Sequence, residues 1–327
     1  MPVLGGPGGG SLEDSKVCVA CHAGPAPIKY DRVYQTLAMP QGSWSTPLMK
    51  WFNMRRSIAG SLAVSGSLFV LGSLVLLGSL VLLLIGLSSS LEAATITFPS
   101  KKWNTMQDAI NKAQEGDTIL ISPGRYQENL IIDGKSINLE GKNNKDAVIL
   151  DGGNKGPCLI LKNGSNGNVQ GLIIQNGNAR GNGDEGGGIA CYQSNPTIAN
   201  NIFRDNAADK GMGGGIFCYQ SSPIIENNKF YSNRAEKGEG SGVFAFRSTP
   251  VIRHNAFIGN QAEQGEGGGI SLMESAGNIS SNSFLNNLAD QGKNIYLQHS
   301  HGNMENNNHE EDKDNHKAAV FLNQSAF

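Results

Sequence analysis

The chain has 327 residues, with 26 Lys plus Arg against 28 Asp plus Glu, giving a formal net charge of −2 at pH 7. A balance so close to zero excludes the basic profile of a nucleic-acid-binding protein, and the length allows one or two domains. Gly, at 43 residues, stands at about twice its average share, as a turn-rich chain requires. Five cysteines, at 18, 21, 158, 191 and 218, are too sparse for a disulfide framework.

Residues 1–53 are rich in Gly and Pro at the start and carry no periodic apolar face, which predicts a poorly ordered segment. Within it lies Cys18-Val-Ala-Cys21-His22, the CxxCH pattern of c-type haem attachment. In that chemistry two thiols bond the haem vinyls and the adjacent His ligates iron; Met39 or Met54 offers a sixth ligand. The segment is too short to wrap a haem alone, and nothing before Cys18 reads as an export signal. A vestige of a cytochrome-like gene, or an extended start upstream of initiation at Met54, is the favoured account of the motif. A zinc site is disfavoured because no second ligand pair follows.

Met54-Arg55-Arg56 opens an apolar run from Ile58 to Leu87, too long for a signal-peptide core and long enough to span a bilayer. Lys29, Arg32, Lys50, Arg55 and Arg56 precede it, whereas no base follows before Lys101. The positive-inside rule then places residues 1–56 in the cytoplasm and the remainder outside. Residues 54–90 therefore read as a single transmembrane anchor (a signal-anchor) or an overlong signal peptide. In the second case, cleavage near 90–94 gives a secreted protein.

A short strand at Thr95–Phe98 is followed by an amphipathic helix. Thr105 with Asp108 makes a capping box, Trp103, Met106, Ile110 and Ala113 share a face, and Gly116 ends it. Thr118–Ser122, Asn129–Asp133, Ile137–Glu140 and Val148–Asp151 read as strands of irregular coils.

From Gly186 to Leu288 the chain repeats itself with a period of 27. Gly188, Gly215, Gly242 and Gly269 share a column, as do Ile198, Ile225, Ile252 and Ile279. Two Asn columns begin at Asn201 and Asn206, and Phe203, Phe230, Phe257 and Phe284 form another. Val169–Ile174 enters the pattern with an offset of 29, the extra residues falling in a loop at 177–185. Within a unit the apolar residues alternate over short runs bounded by Gly, Pro, Ser and Asn, a period of 2. Short strands joined by turns close into coils about 4.8 Å apart, and equivalent residues stack. The Phe column becomes an aromatic stack, the Asn columns amide ladders, and the Gly column supplies positive φ at a tight corner. Cys191 and Cys218 fall on neighbouring coils, about 5 Å apart, within disulfide range; two buried thiols are the favoured reading.

These units resemble the repeats of right-handed parallel β-helix proteins, the pectin-lyase-like superfamily. The paired GGxI and FxxN signatures (Phe203-Arg-Asp-Asn206 and its three successors) also resemble repeats of bacterial polymorphic outer-membrane proteins and adhesins. Trp103 to Asp117, followed by Thr118 to Glu128, is similar to the superfamily's capping helix and first coil. The expected fold is all-β, a single-stranded right-handed parallel β-helix over 95–298 with an N-terminal capping helix, preceded by one transmembrane helix. The tail, 299–327, reads as polar and solvated, with Ala318–Leu322 available to cap the open coil end.

The resemblance implies enzymes that cut or modify acidic polysaccharides with Asp, Arg, Lys or His clustered on one exposed sheet. Gly124-Arg-Tyr-Gln-Glu128 matches the GxYxE carried by pectin methylesterases in their first coil, but their catalytic Gln, paired Asp and Arg motifs find no counterpart. Arg204, Arg253, His254 and Glu226 are outward candidates without the paired logic of glycoside cleavage.

Alternation sends Tyr192, Phe217, Tyr219, Phe244, Phe246 and Met273 outward, an exposed aromatic strip suited to stacking on sugars; the tail or the linker after the anchor covering it is the alternative. An acidic column of Asp209, Glu236, Glu263 and Asp290, with Glu239 and Glu266 nearby, is either solvated, neutralised by Lys210 and Lys237, or bridged by Ca²⁺. Taken together, the sequence favours a membrane-anchored extracytoplasmic protein, periplasmic or at the cell surface, binding a polysaccharide or surface partner without catalysis. The alternatives are a polysaccharide lyase, esterase or epimerase, and a haem c electron-transfer protein on a β-helix scaffold.

Overall fold

Each 27-residue unit turns through short strands that pair in parallel with the same strands of the units before and after, so sequence columns become spatial columns. The structure, a computed structural model, describes residues 92–142, 146–180, 185–209, 211–236, 238–310 and 319–323. The pairings make one nine-stranded, two eight-stranded and one five-stranded sheet. The nine-stranded isoleucine sheet runs from Thr95–Phe98 to His301–Glu305 and stacks Ile198 on Ile225, Ile252 and Ile279. The phenylalanine sheet, eight strands from Gly124–Gln127 to Asn308–His309, stacks Phe203, Phe230, Phe257 and Phe284. The cysteine sheet runs from Leu130–Asp133 to Val320–Asn323 and pairs Cys191 with Cys218. The fourth, short sheet begins at Asn178–Ala179 and ends at Leu288–Gln291. This is a right-handed parallel β-solenoid, and the described residues hold almost no helix.

The Ile and Phe columns are fully buried inside the coil. Successive Phe rings stack nearly flat, with centroids 4.8, 4.7 and 5.0 Å apart. Buried Asn columns satisfy the corners. The Asn228 amide donates to the Ile198 carbonyl at 2.8 Å and to Asn255 Oδ1 at 3.1 Å, and its backbone N–H also donates to Asn255 Oδ1, at 2.9 Å. Every Asn of these two repeat columns has such partners, so the columns carry no uncompensated polarity.

The Gly column has a different cause from the one expected. Positive φ belongs to Gly186, Gly213, Gly240 and Gly267, two residues earlier. Gly215 is required by space instead: a Cβ there would sit 2.5 Å from the Gly242 carbonyl oxygen and 3.0 Å from the Phe230 ring. Cys191 and Cys218 are buried free thiols.

Helix α1 (Met106–Lys112) starts at Thr105 with both capping-box bonds formed, and buries Met106, Ala109 and Ile110 in the core. Glu128 ties it down by accepting from the Met106 and Gln107 N–H groups at 3.0 and 3.2 Å, a carboxylate at the positive end of the helix. The Tyr126 hydroxyl donates to the Ser122 carbonyl. Tyr and Glu of the GxYxE pattern thus hold the first coil together.

The end of the solenoid corrects the tail boundary. Strands at His301–Glu305, Asn308–His309 and Val320–Asn323 extend three sheets beyond residue 298. The period contracts: Ala262 pairs with Ala289, 27 residues on, but Glu266 pairs with Gln291, and Ile279 with Met304, 25 on. A 27-residue template therefore misses a coil whose turn is two residues shorter.

Among the described residues no helix is long and apolar enough to cross a membrane. The span expected at 58–87 and the trio Cys18, Cys21 and His22 lie outside those residues.

Candidate functional site

The aromatic strip does point away from the coil interior, but it is not an exposed patch. Phe217 and Phe244 are fully buried, and Phe246 and Met273 are 3% and 4% exposed. The glycine turns at Gly186 and Gly240 lie against the base of the Phe217 and Phe244 side chains. A Cβ on Gly186 would come within 2.9 Å of Phe217 Cβ, and one on Gly240 within 2.8 Å of Phe244 Cβ. The strip is a second apolar layer: Phe217 stacks on Phe244 at 5.8 Å, and Arg247, ion-paired to Glu274 at 2.8 Å, lies over Phe246. Tyr192 and Tyr219 are half-buried.

The acidic column is also rearranged. Arg234 reaches into it, with Nη2 3.1 Å from Asp209 Oδ1 and Nη1 3.8 Å from Glu263 Oε1. Among the described residues no three His, Cys, Asp or Glu side chains come together in a way that could hold a metal ion. Glu236 is half-buried and Asp290 exposed. Burial, with Asp290 beside it, pushes Glu266 above the usual carboxylate range.

The four outward candidates for catalysis divide between faces. Arg253 and Glu226 form an ion pair of 2.6 Å on the isoleucine sheet, with His254 at the corner beyond it. Arg204 lies on the phenylalanine sheet and donates twice to Gln175 Oε1. Gln175 in turn donates to Asp151 Oδ2 at 2.7 Å, where Arg125 and Asn176 also converge. Burial raises the affinity of Asp151 for a proton, but its hydrogen bonds outweigh this and hold its carboxyl below the ordinary value. An anion so fully bonded has little capacity left to shuttle protons, and its chemistry is that of a clamp across three coils.

What sequence reasoning missed lies one turn further on, at the corner between the phenylalanine and short sheets. A groove of about 290 Å³ is lined by Asn154, Asn178, Asp205, Ser232, Arg234 and Gln261. Asp205 and Ser232 take positive φ, 54° and 50°, which turns the corner. Asn178 begins the short sheet, in the column of Ala207, Arg234 and Gln261. It is 7% exposed, and its amide nitrogen donates to Asp209 Oδ2 at 2.8 Å. That bond fixes which end of the amide is oxygen. Asn178 Oδ1 is the one buried side-chain N or O atom among the described residues without a hydrogen-bond partner. Leaving such an acceptor unpaired costs about 1–3 kcal/mol. The sequence signal was the change of offset from 27 to 29, which puts an Asn where later coils carry Ala, Arg and Gln.

Comparison with known proteins bears on the fold. The chain matches the family model described as right handed beta helix region over residues 100–257 and again over 136–325. Among solved structures it is similar to Escherichia coli YbhC, at 12% identity and a TM-score of 0.35, over 71% of this chain and 84% of that one. It is also similar to a pectin methylesterase in complex with a hexasaccharide, at 14% identity and a TM-score of 0.36, over 64% and 71% of the two chains. No curated protein matches it.

Proposed function

The chain belongs to the right-handed β-helix family, and we propose that it is a membrane-anchored, extracytoplasmic member that binds carbohydrate without catalysis. In this reading Ile58–Leu87 is the anchor and α1 covers the N-terminal end of the solenoid. The groove at the corner of the phenylalanine and short sheets receives a sugar unit. The observation that carries the proposal is the unpaired Asn178 Oδ1 in the wall of a polar groove beside Arg234 and Gln261. A sugar hydroxyl is both donor and acceptor, so one polyol can accept from the guanidinium and, once the Asn178 side chain turns its oxygen into the groove, donate to the amide. Tyr192 and Tyr219 are the two members of the aromatic strip left partly open to stack on a ring.

Glycan-array binding by the full chain tests this. Asn178→Ala and Arg234→Ala should each weaken binding about tenfold, the effect of losing about 1.4 kcal/mol. Tyr192→Ala with Tyr219→Ala reports whether the strip contributes. Unchanged binding in the groove variants would contradict the assignment.

The lyase, esterase or epimerase alternative needs turnover of polyuronates dependent on Arg253 or His254. The haem alternative rests on Cys18, Cys21 and His22 alone, and a haem stain with an absorbance scan decides it.

A further inference from the structure

The phenylalanine column does not end in phenylalanine. In the last coil His309 takes the place below Phe284, with ring centroids 5.1 Å apart and planes 10° from parallel. Beside this stack runs a ladder of asparagine amides with a fixed direction. Asn206 Nδ2 donates to Asn233 Oδ1, Asn233 to Asn260, Asn260 to Asn287, and Asn287 to Asn294 Oδ1 at 3.1 Å. The direction is pinned twice. The same nitrogens of Asn233, Asn260 and Asn287 donate to the carbonyls of Phe203, Phe230 and Phe257. The oxygens of Asn233, Asn260 and Asn287 also accept from the backbone N–H groups of Asn206, Asn233 and Asn260. Asn294 consequently presents its NH₂ group to His309 Nδ1, 3.2 Å away.

We propose that His309 is a pH-sensitive latch: its neutral ring accepts the last bond of the amide ladder, and protonation releases the final coil. A donor cannot meet a donor. With Asn294 held NH₂-outward, Nδ1 must be bare and the ring proton must sit on Nε2. A proton on Nδ1 breaks this bond and places charge in an aromatic column. The surroundings add to the cost. Among the described residues, Lys293, in the turn before Ile295–Gln298, is the charged group that bears on the ring, and Phe284 across the stack is uncharged. Glu310 follows on the same strand, its N–H bonded to the Phe284 carbonyl. Burial first, and Lys293 second, hold His309 below the usual histidine value. A base with a lowered folded value contributes its stability above the unfolded value, near 6.5, and loses it as pH falls toward the folded one. The strands at His301–Glu305 and Asn308–His309, which close the isoleucine and phenylalanine sheets, are the ones released.

Hydrogen exchange on the full chain tests the latch, with peptides from 301–310 compared at pH 7.5 and 5.5 after correction for intrinsic rates, and 276–285 as internal reference. Protection in 301–310 should drop relative to the reference as the pH falls below the unfolded histidine value, while the ratio stays constant above it. His309→Phe, which continues the column, should abolish that drop. A wild-type ratio independent of pH, or an equal drop in His309→Phe, overturns the proposal. If that variant fails to fold, ¹⁵N spectra of the wild-type ring decide. An Nε2–H tautomer titrating below 6.5 supports the latch, and an Nδ1–H tautomer or a titration at or above 6.5 refutes it.

Discussion

Two aromatic columns run along this molecule, and they are buried for different reasons. Phe203, Phe230, Phe257 and Phe284 lie inside the coil, where closure of the strands excludes water. Phe217 and Phe244 lie on the outer face of the cysteine sheet, yet they are just as fully buried. Glycine turns lie against their base, and the rings stack on one another. The difference teaches that alternation along a strand tells which face a side chain takes, and not whether that face is wet. The inner column depends on volume, whereas the outer one also depends on a backbone conformation that only glycine adopts cheaply.

The largest effect expected is at the inner column. Phe230→Ala removes a ring stacked on both sides, and should cost about 3–5 kcal/mol in urea unfolding, because adjacent coils cannot collapse into the gap. Phe244→Ala losing as much would show that the outer layer is packed as tightly as the core.

A smaller loss is expected from Gly240→Ala. The position has φ of +62°, and the new Cβ would lie 2.5 Å from the Val243 carbonyl oxygen and 2.8 Å from Phe244 Cα. Strain at such a site is worth about 1–3 kcal/mol, and the same unfolding experiment reads it. No change in stability would mean that the turns do not seal the outer column.

Smallest of all, Glu226→Ala should shift stability by less than about 1 kcal/mol, since its pair with Arg253 lies on the outer face of the isoleucine sheet. A larger loss would show that this face is as demanding as the other two.

The sequence carried the repeated part of the fold well. The Ile, Asn and Phe columns recur at 27 because stacked coils demand like residues at like places, and the capping box of α1 is a local signal. What was lost lies where the period changes. The coil after residue 298 closes at 25 residues, and His309 substitutes for the Phe that would have revealed it. The groove arises at the 29-residue offset, where Asn178 enters a column of unlike residues, so no repetition marks it. The acidic column was legible as a column, but Arg234, on the adjacent strand, was not legible as its partner.

Within the repeated units the coils stack in register at 27 residues, and paired cysteines measure that register most directly. Ile202 and Lys229 are register partners on the outer face of the phenylalanine sheet. Cysteines introduced at both should therefore link under mild oxidation, their Cα atoms lying about 4.8 Å apart, as peptide mapping would show. Ile202→Cys with Tyr231→Cys, a diagonal pair two residues out of register, should stay reduced. Equal linkage in both pairs, or linkage only in the second, would contradict the account.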